Sequence, residues 1–148
     1  MNSTDDIKIV LLHDDPVSGV RGTSVLERVA GQLEADRGKV DTEVWKFDVL
    51  RHPGLREHAA ARIREADMIV ISAAGSGELP DHVQSCLETG LSRRSEREAA
   101  MVALLDQESA HSGELPRLVS RLRQVAARFG LGFFCNHRRT ASRKSGSR

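Results

Sequence analysis

The sequence predicts a three-layer α/β fold on a five-stranded parallel sheet of order 2-1-3-4-5, and three observations carry that expectation. Five short apolar runs alternate with four segments of helical periodicity, so each pair of strands is joined by a crossover helix and the strands are parallel. The first run, residues 7–12 (IKIVLL), shows no alternation and suits a central strand buried on both faces. The second, residues 43–49, alternates Trp45, Phe47 and Val49 with Val44, Lys46 and Asp48, as an edge strand wet on one face does. Placing that edge outside the first strand yields the order.

Each element follows from local pattern. After the first strand a loop is expected over residues 13–22, then a helix whose Val25, Leu26, Val29, Ala30 and Leu33 form one stripe and which Gly38 ends. His52-Pro53-Gly54 breaks the chain after the second strand, and Leu55, Ala59, Ile63 and Ala66 mark the second helix. Residues 68–73 (MIVISA) form a buried strand; the small, glycine-rich residues 74–78 follow, and Leu79-Pro80 opens a third helix that buries Val83, Cys86, Leu87 and Leu91. Residues 101–105 are the fourth strand. The fourth helix carries Leu118, Leu122, Val125, Ala126 and Phe129, Gly130 stops it, and residues 132–135 are the fifth strand.

At 148 residues the chain has the size of one domain with a two-sided core. Residues 1–137 are expected to form it, and residues 138–148 to be a disordered basic tail. Arg138, Arg139, Arg143, Lys144 and Arg148 place five positive charges in that tail; against a net charge of +1, the rest carries −4. A mildly acidic body argues against a specific nucleic-acid partner. Cys86 and Cys135 match no zinc or redox spacing and read as reduced core thiols. No basic segment precedes an apolar core at the N-terminus, and no apolar run approaches the roughly 20 residues of a bilayer span, so a soluble cytoplasmic protein without membrane contact is expected.

In a parallel sheet the loops at the carboxyl ends of the strands face the ligand crevice. Three such loops are residues 13–24, 73–80 and 106–114. In the first, Ser18, Gly19, Arg21, Thr23 and Ser24 run into a helix and offer N–H groups, hydroxyls and one guanidinium, the parts of an anion site. Thr23 or Ser24 serving only as the helix cap is the plainer alternative. In the second, Ala74, Gly75, Ser76, Gly77 and Glu78 let a ligand approach the backbone closely.

Together with Ala66-Asp67 and Leu79-Pro80, these two loops resemble the flavodoxin-like NADPH-dependent FMN reductases across most of residues 7–135. The resemblance implies a flavodoxin-like fold in which Arg21, Thr23 and Ser24 hold the FMN phosphate while the backbone of residues 74–77 lies against the isoalloxazine ring. It implies hydride transfer from a nicotinamide to the flavin and on to an electron acceptor, with no obligatory side-chain acid or base. It also implies a homodimer, for which residues 80–91 offer a contact surface.

Three features depart from that family's pattern. The chain has no tyrosine to stack on a ring, its third loop carries Asp106, Glu108 and Glu114, and Asp14-Asp15 stands beside the anion site. A cofactor-free flavodoxin-like interaction or regulatory module is therefore the alternative. Asp14-Asp15 resembles the acidic pair of response-regulator receivers, but Ser72-Ala73-Ala74 occupies the phosphoacceptor position and Asn136-His137 the lysine position, which leaves at most a degenerate receiver. Gly75-Ser76-Gly77 lacks the flanking glycines of a hydrolase elbow. His13 and His111, with Asp14, Asp15, Asp106 and Glu108, have no spacing that demands a metal.

Overall fold

In the computed structural model, the described residues are 7–14, 16–37, 39–73, 79–94, 98–105 and 114–136. Their five strands, β1 (Ile7–His13), β2 (Val40–Lys46), β3 (Met68–Ala73), β4 (Ala100–Leu105) and β5 (Gly132–Asn136), form one sheet of order β2-β1-β3-β4-β5. Every pairing is parallel; Leu11 of β1 lies between Val44 of β2 and Val70 of β3. The helices are α1 (Pro16–Arg37), α2 (Pro53–Glu65), α3 (Asp81–Ser92) and α4 (Glu114–Arg128). The α/β class, the strand order and the flavodoxin-like arrangement stand as the sequence predicts.

Alternation along each strand divides the apolar residues between two cores. Val10, Leu12, Ile69, Ile71, Met101 and Ala103 point to one face, where α2, α3 and α4 bring Ile63, Val83, Leu87 and Leu122 against them. Ile9, Leu11, Val70 and Leu104 point to the other, where α1 supplies Leu26. Each of these side chains is almost fully withdrawn from water, and burial of a Val, Leu or Ile contributes about 1.5–3 kcal/mol. Val83, Cys86, Leu87 and Leu91 of α3 are all buried as expected.

Two elements are placed differently from the sequence reading. The second strand runs Val40–Lys46 rather than over residues 43–49, and Phe47–Arg51 is a 3₁₀ turn that buries Phe47 and Leu50. Residues three apart eclipse in a 3₁₀ helix, so the two fill one gap beside α2, a gain the strand alternation did not anticipate. Helix α1 begins at Pro16, seven residues before the expected hydroxyl cap, which is consistent with the preference of proline for a first turn. Gly130, with φ of 76°, follows the end of α4 in the left-handed conformation that a stop glycine adopts.

The α2–α3 contact is the tightest helix pair. A Cβ at Gly90 would stand 2.7 Å from the Ala60 carbonyl oxygen and 2.8 Å from Ile63 Cβ, so only glycine allows the two helices this approach. Beyond the end of α3, the Arg94 guanidinium donates to the carbonyl oxygens of Ile63, Arg64 and Ala66 at 3.1, 3.1 and 2.6 Å, satisfying the carboxyl end of α2. On the surface, Arg93 donates to Glu57 and holds its carboxyl below the usual carboxylate value.

Gly90→Ala is expected to destabilise the protein by about 1–3 kcal/mol, the usual cost of overpacking, read from urea unfolding midpoints. Burial pushes the Cys86 thiol up to about 11 from the ordinary 9.0. The unfolded thiol therefore ionises first, and stability falls as pH rises from about 9 to about 11. In Cys86→Ala that fall is expected to be shallower, measured by chemical denaturation across the same pH range.

Candidate functional site

The chain leaves β1 for α1 on one face of the sheet and leaves β3 for α3 on the other. Between these two strands, at their carboxyl ends, the direction of winding reverses, the position at which open α/β sheets bind ligands. His13 pairs with Ser72 there, and the Asp14 N–H donates to the Ser72 carbonyl oxygen at 3.3 Å. Asp14 is half-buried at this position, and Pro16 starts α1 two residues later.

Helix α1 is set closely upon the sheet at this point. A Cβ at Gly22 would meet Leu11 Cδ1 at 2.9 Å and Ser72 Cβ at 3.1 Å, so the absent side chain lets the helix rest directly over β1 and β3. Ser72 is fully buried beneath it, the small polar member of an otherwise apolar strand. Sequence reasoning missed both residues; the break that Ser72 makes in MIVISA was the available signal.

The expected anion-site residues are helical rather than in a loop. Ser18 and Gly19 lie in the first turn of α1 and Arg21 in the second, and the side chains of all three lie outside the described set. The unpaired N–H groups of a helix include those of its first three residues, so within α1 they fall at residues 17 and 18, since Pro16 has none. Half-buried Thr23 and exposed Ser24 lie about 10 and 12 Å further along the axis than Pro16, so neither caps the helix. Ala74, Gly75, Ser76, Gly77 and Glu78 lie outside the described residues, as do Asp15 and residues 106–113. The ends of β1, β3 and β4 beneath the three loops are adjacent, with Ala73 paired to Leu105.

The Ala66-Asp67 pair serves the opposite end of the sheet. The Lys8 N–H donates to Asp67 Oδ2 at 2.9 Å, the Asp67 N–H donates to the Lys8 carbonyl oxygen at 2.7 Å, and the Ala100 N–H donates to the Asp67 carbonyl oxygen at 3.1 Å. One residue thus ties the amino ends of β1, β3 and β4. In this chain that motif is a feature of architecture.

The remaining predicted features have local roles. Trp45 packs against His58 with ring centroids 5.6 Å apart, and His82 Nε2 lies 3.0 Å from the Phe47 carbonyl oxygen. Cys86 and Cys135 are free thiols, the first buried and the second half-buried, and burial raises the pKa of both. Among the described residues no three metal-ligating side chains gather, and no helix is long and apolar enough to cross a membrane.

No family model and no curated protein sequence matches the chain. Among solved structures it is similar to the azoreductase from Bacillus anthracis str. Sterne, at 9% identity and a TM-score of 0.46, with 87% of this chain and 85% of that one covered. It is similar also to the azoreductase AzrA, at 9% identity and a TM-score of 0.45, with 86% of each chain covered.

Asp67→Ala removes the acceptor of the Lys8 N–H and is expected to cost about 1–3 kcal/mol of stability, while Asp67→Asn, which keeps an amide oxygen, costs less. Thermal unfolding of the three proteins measures the difference.

Proposed function

We propose that the chain is an FMN-binding, NAD(P)H-dependent oxidoreductase that passes electrons from a nicotinamide to a small-molecule acceptor. The supporting observation is the switch point between β1 and β3, with the start of α1 set on top of it. A helix start at a switch point offers unpaired backbone N–H groups and a partial positive charge, which suits the phosphate end of a mononucleotide.

The donor set fits that group at its phosphate end. The N–H groups of residues 17 and 18 supply neutral donors, Gly19 adds no side chain beside them, and Arg21 supplies the cation for a charge-assisted contact. Thr23 and Ser24 stand further along the helix and enter the proposal as support for its placement rather than as direct donors. Ala74, Gly75, Ser76, Gly77 and Glu78 are proposed to line the ring. A bound flavin would supply the hydride-accepting chemistry; the protein holds it, orients it and excludes water.

A cofactor-free regulatory or interaction module is the second reading, and half-buried Asp14 at the switch point favours it by opposing an anion. Titration with FMN separates the two. Saturable quenching of flavin fluorescence, or a yellow protein on purification, is expected for the oxidoreductase, and Arg21→Ala is expected to weaken binding by about 1.5–3 kcal/mol. Unchanged FMN fluorescence at high micromolar protein would leave the cofactor-free module, and unchanged affinity in the variant would remove Arg21 from the site.

A further inference from the structure

The two helices that leave the switch point differ in the charge at their starts. The first turn of α3 carries Asp81, whose carboxylate answers that helix's own positive end. The first turn of α1 has no acidic residue, but Asp14 stands two residues before it. Consecutive Cα atoms are 3.8 Å apart, so Asp14 lies no further than about 7.6 Å from Pro16 whatever turn joins them. It is also held in place: its N–H donates to the Ser72 carbonyl oxygen at 3.3 Å, and Ser72 is fully buried beneath Gly22.

The cations stand further off. Lys46 is exposed at the end of β2 and pairs with His13, so it lies on the side of β1 away from β3. Alternation places half-buried His13 on the face of Leu11 and Ser72. Arg21 is about 7.5 Å along the axis of α1 from Pro16. Asp15, outside the described residues, adds a second carboxylate to the same stretch of sequence. The group nearest the start of α1 among the described charges is therefore an anion.

On the flavin site proposed above, we infer that Asp14 sets which flavin is taken: it repels a phosphate and accepts a hydrogen bond from the terminal ribityl hydroxyl, so the chain holds riboflavin no more weakly than FMN. A phosphate ester carries about 1.5 to 2 negative charges near neutral pH and offers mainly acceptor oxygens. An ionised carboxylate also only accepts, so the two meet without a hydrogen bond between them. A hydroxyl has a proton to give. A carboxylate has about four acceptor positions, so that hydroxyl joins whatever Asp14 already serves. Salt does not remove the repulsion, because the screening length of about 8 Å at physiological ionic strength is as long as the span from Asp14 to the helix start. Arg21 pulls the other way and brings FMN back toward riboflavin without passing it.

Parallel titrations of riboflavin and FMN with the full chain, followed by flavin fluorescence, test this. In the wild type the riboflavin dissociation constant is expected to equal that of FMN or fall below it. Asp14→Asn keeps the shape and an acceptor oxygen but removes the charge, and is expected to move the ratio of the two constants at least about tenfold toward FMN. Asp14→Glu keeps the charge and the wild-type order. Quenching of riboflavin alone leaves the inference standing without FMN as the cofactor. Quenching of FMN alone, or FMN binding more than about threefold tighter in the wild type, overturns the inference and leaves the oxidoreductase reading intact. A smaller shift in Asp14→Asn, or one shared equally by both flavins, also overturns it. If neither protein quenches either flavin, the flavin site itself is lost. Should Asp14→Asn fail to fold by circular dichroism, the wild-type ratio decides alone.

Discussion

Every strand in this sheet is parallel to its neighbours, and that single constraint governs the rest. Parallel strands cannot be joined by tight turns, so each must be followed by a helix that returns the chain to the starting edge and covers a face on the way. With the four described helices distributed three to one, the two faces meet different demands. The crowded face must bring helices close together, and Gly90 is where α2 and α3 meet that demand. The sparse face has one helix to anchor, and Gly22 lets it lie against Leu11 and Ser72 without an intervening side chain. Both glycines have open space removed on their Cβ side, whereas Gly31 and Gly54 have nothing within 4 Å there. Location, not backbone freedom, gives the first two their importance.

The two ends of the sheet divide the work of holding and binding. At the amino ends, Asp67 links three strands by backbone and side-chain hydrogen bonds, and Arg94 closes α2 a few residues away. Each such bond contributes about 1 kcal/mol net, less than the burial of one core side chain, so the clamp acts chiefly on register. Register matters because a slip of one residue would exchange the two faces and turn Ile69 and Ile71 toward α1. At the carboxyl ends, among the described residues, Asp14 and Ser72 bridge β1 and β3 by backbone beyond the ladder. Here the chain departs to opposite faces, and the space between the departures is what a ligand can use.

Much of this was legible in the residues. The β3 run MIVISA matches its strand residue for residue, and the buried stripe of α3 was read in full, because period and burial coincide in both. The Trp45, Phe47, Val49 alternation misled at its second half because Phe47 and Leu50 reach the core better from a 3₁₀ turn, a tertiary gain that no strand period records. The start of α1 was obscured by Ser18, Gly19, Gly22 and Thr23, which score as loop residues on propensity; packing over the sheet outweighs that preference. Asp67 stands in the motif that carries the family resemblance, yet it bonds Lys8 and Ala100, residues that only the folded sheet brings near. Local pattern found the elements, and it failed where a contact across the sheet decided the outcome.

The same contact logic limits what the switch point can hold. A helix N-terminus favours an anion by about 0.3–1 kcal/mol when exposed and up to about 2 when partly buried. A carboxylate within about 6 Å of that anion opposes it by roughly 3 kcal/mol per charge pair at an effective dielectric near 20. Under the proposed function, helix and half-buried Asp14 together would leave a phosphate close to neutral or disfavoured, and the backbone donors at the start of α1 would not reverse the sign by charge. The cation must do so. Under the proposed function, a flavin phosphate would be accommodated to the extent that Arg21 answers Asp14, and the balance of those two residues, rather than the glycines of the loop, would decide FMN affinity.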